Sequence, residues 1–576
     1  MKFNKILILG LGLISIQSAQ AFVSVGSSGC TFTTIQAAIN SGETEIHIAS
    51  TNTYNENLNI VRSTNLKLIG GYATCADANG GAISATKAII DGQDLDDSIF
   101  LRINGVVNTT VTFENLEIKG GDAFDLSRGS GVYVSLHSVG VLNLKNMNIH
   151  NNKGGGVYIG NGANTVVNVE DSQISSNTAT GGDGGGLYCG GGKLNIHGTS
   201  RITSNVASKV TGNGGNGGGI ALKNCELYMY SGYDSNAGFL LEGVVANSAN
   251  ENGGGIYADN SRVEIIGGEQ LGLGDSSKPA LVGFNQANKG AGIYAFNNSI
   301  VSVVNSVIES NTAVNNGGGF YIDNSFLTVG QLSNCWQSDD NYGSCSRIRK
   351  NKSGNYGGGI YVNNGGSAFV VGTLIHDNRA DYGTAVYVIN SNSTATLMSS
   401  TLFANGDNGQ GTYTDNYVIR GTVSATVNAY HITMEDNDIN DANAVIGIAS
   451  SSVLNLKNSI VSNIPQTVLK TSGSVTINAN CVFVNENTSI SGTNLSTADP
   501  DTLIPTVETY HLSAHATAAD YCPSIPEVAV YRDIDNNIRV YDDPTWSPNI
   551  FGPADAGADE TILSDTIFGN SFEDQL

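Results

Sequence analysis

The chain has 576 residues, of which 72 are glycine and only 9 proline, with no Gly-X-Y period; one glycine in eight exceeds the usual level of about 7%, and the pattern excludes both collagen and proline-rich disorder. The formal net charge of -24 repels nucleic acid and anionic membrane surfaces and keeps a chain soluble. An apolar fraction of 40% suffices for a substantial core where it is regularly spaced.

In chain order, the first 21 residues, "MKFNKILILGLGLISIQSAQA", carry two lysines, an apolar run and an Ala-Gln-Ala site, the layout of a secretory signal cleaved after Ala21. Cleavage removes Lys2 and Lys5 and no acid, taking the charge to -26. No later apolar run is long enough to cross a bilayer as a helix, so no transmembrane segment is expected in the mature chain. Eight cysteines follow, an even number suited to disulfides in an oxidising compartment. Sequential pairing is expected: Cys30 with Cys75, Cys189 with Cys225, Cys335 with Cys345, and Cys481 with Cys522. In "CTFTTIQAAIN" the residues Ile35, Ala38 and Ile39 have helical spacing behind Thr33 or Thr34 as N-cap.

From residue 129 two short boxes alternate. One reads Gly, small, small, apolar, Tyr and places Tyr133, Tyr158, Tyr188, Tyr257, Tyr294, Tyr321, Tyr361 and Tyr387 at its end; a further copy, "GGGIA" at 217, lacks the Tyr. The other is apolar-x-x-Asn, ending at Asn152, Asn177, Asn205, Asn247, Asn285, Asn311, Asn351, Asn378, Asn405, Asn437 and Asn463. Alternating runs such as "SIVSVV" lie between them and read as strands. The glycine box returns every 25 to 40 residues, too short a period for a domain and too rich in strands for a helical solenoid. The expectation is an all-β chain, a right-handed parallel β-helix with three strands per coil over residues 22–500. It would stack roughly 16 coils into a rod of about 75 Å at about 4.8 Å per coil. Residues 501–562 are expected to close its C-terminal end, with a tail at 563–576.

"CTFTTIQAAIN" followed by "EIHI", "LNI" and "LKLIGGY" resembles the start of pectin-lyase-like β-helix proteins, which implies that the short helix plugs the open end of the stack. The two boxes over residues 129 to 463 are similar to the repeats of polymorphic outer membrane proteins, whose passenger domains are adhesins. The departure is that those proteins end in a membrane β-barrel, which this sequence does not display. The closing "DTIFGNSFEDQL" is similar to Phe-containing tails of exported proteins of Gram-negative bacteria.

Catalytic constellations of such folds appear only in fragments. Asp339, Asp340, His197 and "RIRK" at 347–350 stand in the wrong order for a polygalacturonase-like site, and its Gly-His-Gly is missing. Asp339, Asp340 and Arg347 come nearest to a lyase set of acids and arginine, in a segment that the expected Cys335–Cys345 pair would tie into a loop. Asp533 and Asp535 in "RDIDNN" resemble a calcium loop without its sixth-position glycine or terminal Glu; no metal or other cofactor is expected.

Two features point to binding. Strand alternation sends the eight box tyrosines to the outer side, where an aromatic ladder can either stack sugar rings or reinforce the sheet as cross-strand pairs. Insertions at 230–243, 267–280 and 331–346 fall at one equivalent point of the coil, so Tyr230, Tyr233, Asp234, Asp275, Trp336, Asp339 and Tyr342 are expected to cluster on one edge. The functional expectation is an exported, monomeric, adhesin-like protein that binds glycan or another cell-surface ligand. Its alternatives are a polysaccharide lyase or hydrolase of atypical motif and an extracellular spacer.

Overall fold

The computed structural model describes residues 22–84, 86–104, 109–122, 131–210, 212, 214–230, 243–267, 279–330, 346–409, 411–440, 443–462, 466–484, 490–496, 518, 522–524 and 554–558. Short alternating strands separated by turn residues wind it into the expected right-handed parallel β-helix, in which all pairings between named strands are parallel and join one coil to the next. One coil shows the plan. Ile293–Phe296 enters a 14-stranded sheet, Ile300–Val304 and Ser306–Glu309 enter a 28-stranded sheet, and Thr312–Asn316 enters a 7-stranded sheet. The three sheets are called here the tyrosine, long and short sheets. The long sheet turns a corner at Asn305, whose φ is 46°, so in this coil it takes two short strands.

The apolar-x-x-Asn box has a concrete geometry. Its apolar residues stack in register, Ile149 on Ile174, Ile202, Val244, Val282, Ile308, Ile348, Ile375 and Leu402, all fully buried. From Asn152 to Asn437 the residue before each Asn is left-handed although none is glycine, for example Ser176, Phe284, Ser310 and Lys350 at φ 54–58°, a conformation that costs about 1–2 kcal/mol for an L-residue. The Asn side chain offsets that cost. Asn311 Oδ1 accepts from the backbone N–H and Nδ2 of Asn285, at 3.1 and 2.9 Å. Its own Nδ2 donates to Asn351 Oδ1 at 2.9 Å and to the Val282 carbonyl at 3.0 Å. The same side-chain link runs unbroken from Asn152 to Asn437. Asn463 lies outside the described residues.

In the glycine box the three glycines have different reasons. Gly317 adopts φ 68°, a region that favours glycine. A Cβ on Gly318 would stand 2.4 Å from the Gly358 carbonyl oxygen, and one on Gly319 2.6 Å from that of Gly359, so these two are required by the closeness of the next coil.

The N-terminal end is plugged by helix α1 (Ile35–Asn40), with Thr34 as N-cap and Ile35, Ala38 and Ile39 buried. Two groups distant in sequence complete its ends. Glu56 accepts the N–H groups of Ile35 and Gln36 at 2.8 and 2.9 Å, and the Arg62 guanidinium donates to the carbonyls of Ile39, Gly42 and Glu43, which complements the helix dipole at both ends. A second helix, α2 (Cys75–Gly80), has Thr74 as N-cap. The pairs Cys30–Cys75, Cys189–Cys225 and Cys481–Cys522 are disulfides, with Cα separations of 5.0, 6.0 and 5.7 Å; Cys335 and Cys345 lie outside the described residues. The described parts of the C-terminal segment rest on the outer flank of the last coils. Ala518, Cys522, Ala554 and Ala556 cover Ile460, Cys481 and Phe483, and Asn458 Nδ2 donates to the Pro523 carbonyl at 2.8 Å.

Asn311→Ala strips buried partners from both neighbouring coils and is expected to cost about 2 to 4 kcal/mol; Ile308→Ala is expected to cost about 2 to 5 kcal/mol. Asn168→Ala, in a half-buried ladder linking Asn143, Asn168 and Asn195, is expected to cost no more than about 1 kcal/mol. Urea unfolding of the three variants checks the ranking.

Candidate binding faces

The tyrosine sheet carries the box tyrosines in register on its outer side, as alternation requires. They form two stacks. Phe100 leads Tyr133, Tyr158 and Tyr188; after Ala221, the copy without Tyr, come Tyr257, Tyr294, Tyr321, Tyr361 and Tyr387. Ring centroids are 4.4 Å apart between Tyr158 and Tyr188 and 4.7 Å apart between Tyr294 and Tyr321. The rings are outside the core but are not an open platform. Tyr133, Tyr188, Tyr294, Tyr321, Tyr361 and Tyr387 are all buried, and Tyr158 and Tyr257 half-buried, because the coil spacing brings each ring face against the next and Tyr356 packs over Tyr361 and Tyr387. Of the two readings of the ladder, this burial favours the cross-strand stack that reinforces the sheet. Burial pushes the phenols of Tyr188 and Tyr387 up to about 12 and raises those of Tyr158, Tyr257, Tyr294 and Tyr361 further.

The roots of the loop insertions share one register position. Tyr230 pairs with Ile266, Ile266 with Val304 and Val304 with Gly330, so the three points at which the chain departs lie in one column at the corner of the long sheet. That column spans three coil steps, about 14 Å. Tyr233, Asp234, Asp275, Trp336, Asp339 and Tyr342 lie outside the described residues, as do Asp340, Asp533 and Asp535.

The strand face leading to this corner adds Lys193, Tyr228 and Glu226, which the sequence reading missed, to Tyr230 and His197, which it named. On the outer side of the long sheet, Lys193 Nζ stands 3.9 Å from the centroid of the Tyr228 ring, and the Tyr228 hydroxyl donates to Glu226 Oε2 at 3.2 Å. His197 lies parallel to Tyr230, with centroids 5.4 Å apart; burial lowers its pKa and favours the neutral ring. In the next coil Arg262 pairs with Glu264. Tyr228 and Tyr230 are half-buried, with rings between fixed neighbours. The period-2 spacing in "CELYMY" was the available signal, since it sends Tyr228 to the same side as Tyr230. Within the "RIRK" fragment Arg349 Nε makes an ordinary bond to Glu309 Oε2 at 2.6 Å; His376 stacks on Phe403 while its Nδ1 meets Asp377 at 2.8 Å.

The fold and its loop-bearing face define a disulfide-linked right-handed parallel β-helix. No protein-family model matches the chain, and no curated protein matches its sequence. Among the described residues no helix is long and apolar enough to cross a membrane, and the three disulfides are compatible with an oxidising, extracellular setting.

The ladder phenols are neutral in the folded state at a pH where unfolded tyrosines ionise. For Tyr188 and Tyr387 the folded stability is fully present below about pH 10 and is lost as pH rises towards 12. Melting temperature is expected to fall steeply above about pH 10. Ultraviolet phenolate absorbance should show these tyrosines ionising only as the chain unfolds.

Proposed function

We propose that this chain is an exported, adhesin-like binding protein that recognises glycan or another surface ligand at the loop-bearing corner of the long sheet and the Tyr228–Tyr230 face beside it. The observation that carries this reading is the register of the loop departures. Three long insertions arise at one column of an otherwise regular solenoid, next to half-buried aromatic rings held by Lys193 and His197. Loop clusters on a repeat scaffold are the usual place for recognition, and Trp336 in the third loop is one of only 2 tryptophans. The N-terminal signal-like segment and the cysteine pairing support export. The likeness of the boxes to polymorphic outer membrane protein repeats, and of the opening residues to pectin-lyase-like proteins, supports an extracellular role of this type, and the Phe-containing tail supports a Gram-negative source.

Recognition without turnover is the expected result when the protein is incubated with a polysaccharide panel and assayed for retention and for new reducing or unsaturated ends. Trp336→Ala with Tyr342→Ala, and separately Tyr228→Ala with Tyr230→Ala, are each expected to weaken retention by about tenfold or more, the loss typical of aromatic anchors. Product formation would replace this reading with a lyase or hydrolase, and unchanged retention in both pairs would remove the site.

A further inference from the structure

A second surface lies at the opposite end of the same strands, where the tyrosine sheet turns into the long sheet. Three successive turns there, at Asn364–Gly365, Asn390–Asn392 and Val423–Ser424, line a shallow, open pocket of about 580 Å3. Its lining contains amides, hydroxyls and one apolar side chain, and no charged group. Part of this polar surface is already committed: Asn364 Nδ2 donates to Asp323 at 3.0 Å, and Asn390 Nδ2 to Asn363 Oδ1 at 2.6 Å. The remainder is available. Among the described residues, Asn390 Oδ1, the Asn392 amide and the hydroxyls of Ser391 and Ser424 have no hydrogen-bond partner, and all four residues are at the surface.

Val423 is the anomaly in this set. It is β-branched, left-handed at φ 58° and 46% exposed, in a turn whose equivalents are asparagine, serine or glycine. An asparagine would hold that backbone more cheaply and meet water better, so the local preference of the turn does not account for the side chain. On two of the preceding coils the same corner is apolar: Phe326 pairs in register with Ile300 on one side and with Ser367, just beyond the first pocket turn, on the other, and the column continues from Ile300 to Arg262. Phe326 is 55% and Ile300 47% exposed. From Ile300 to Val423 the strip covers four coil steps, about 19 Å.

We infer that this corner is a binding strip for a neutral oligosaccharide, with Phe326 and Ile300 as the apolar platform, Val423 against a sugar C–H face, and the free groups of Asn390, Ser391, Asn392 and Ser424 bonding ring hydroxyls. Flat apolar contact combined with paired amide and hydroxyl groups suits a ligand whose faces are apolar and whose rim is hydroxylated. An anionic sugar is disfavoured, because no cation lines the pocket and the chain carries a net charge of -24. The inference deepens the glycan reading and rests on it, but it names a different surface from the loop corner.

The test is calorimetric titration of the full chain with neutral gluco-, manno- and xylo-oligosaccharides and with an oligogalacturonate, for the unaltered protein and for Asn392→Ala, Val423→Asn and Phe326→Ser. A neutral oligosaccharide is expected to bind. Asn392→Ala and Val423→Asn are each expected to weaken it about fivefold or more, as lost contacts at a small-ligand site do. Val423→Asn is also expected to raise the melting temperature, a readout that a purely structural role for Val423 would move the other way. Asn392→Ala removes a side chain with no described partner, so it tests the site even if another variant folds poorly. Binding that persists in both variants but disappears in Tyr228→Ala with Tyr230→Ala overturns this strip and leaves glycan recognition standing. Binding of the oligogalacturonate alone overturns the neutral ligand, and binding of none of the sugars overturns the strip and the glycan reading together.

Discussion

The buried asparagine column is the constraint on which the rest of this structure depends. A parallel β-helix has to reverse direction several times per coil without leaving backbone groups unsatisfied, and here one of those reversals uses left-handed residues that are not glycine. Each Asn inside the column makes that turn tolerable by accepting two hydrogen bonds from the preceding coil and donating to both neighbours. A one-residue slip would break every link at once, because donors and acceptors recur only once per coil. The column therefore acts on register more than on total stability, and it allows the coils between its links to vary in length from 25 to 42 residues.

Exact stacking also explains why the aromatic ladder is covered. Once the backbone repeats at the coil spacing, equivalent tyrosines must meet face to face, and rings at that separation exclude water from each other. The same regularity makes departures from it informative. Where insertions leave the column at one corner, or where a Val occupies a left-handed surface turn, the repeat has been set aside locally. Sites of recognition on a solenoid are expected at such irregularities, since the regular positions are occupied by contacts with the next coil.

The two surfaces argued for binding lie at opposite ends of the same strands of the long sheet and differ in chemistry. The strand face leading to the loop corner joins aromatic rings to Lys193, His197 and Glu226, so it suits a ligand with polar or charged features. The turn corner carries apolar side chains followed by amides and hydroxyls, with Arg262 one coil step before Ile300.

Much of this was written into the sequence in a form that needed no coordinates. The period of the two boxes required a solenoid; Ile35, Ala38 and Ile39 behind Thr34 required the plugging helix; and the equivalent placement of the insertions put their roots in one column. Those properties follow from local spacing, which a repeat converts directly into spatial neighbourhood. What only the tertiary structure decided depends on groups far apart in the chain or on how closely coils approach. Glu56 and Arg62 reach the ends of α1 from another coil, α2 forms beside the first sheet, the second and third glycines of the box answer to the carbonyls of the coil that follows, and the tyrosine rings are hidden by one another. Alternation says which way a side chain points, whereas its exposure is set by what the neighbouring coil places against it.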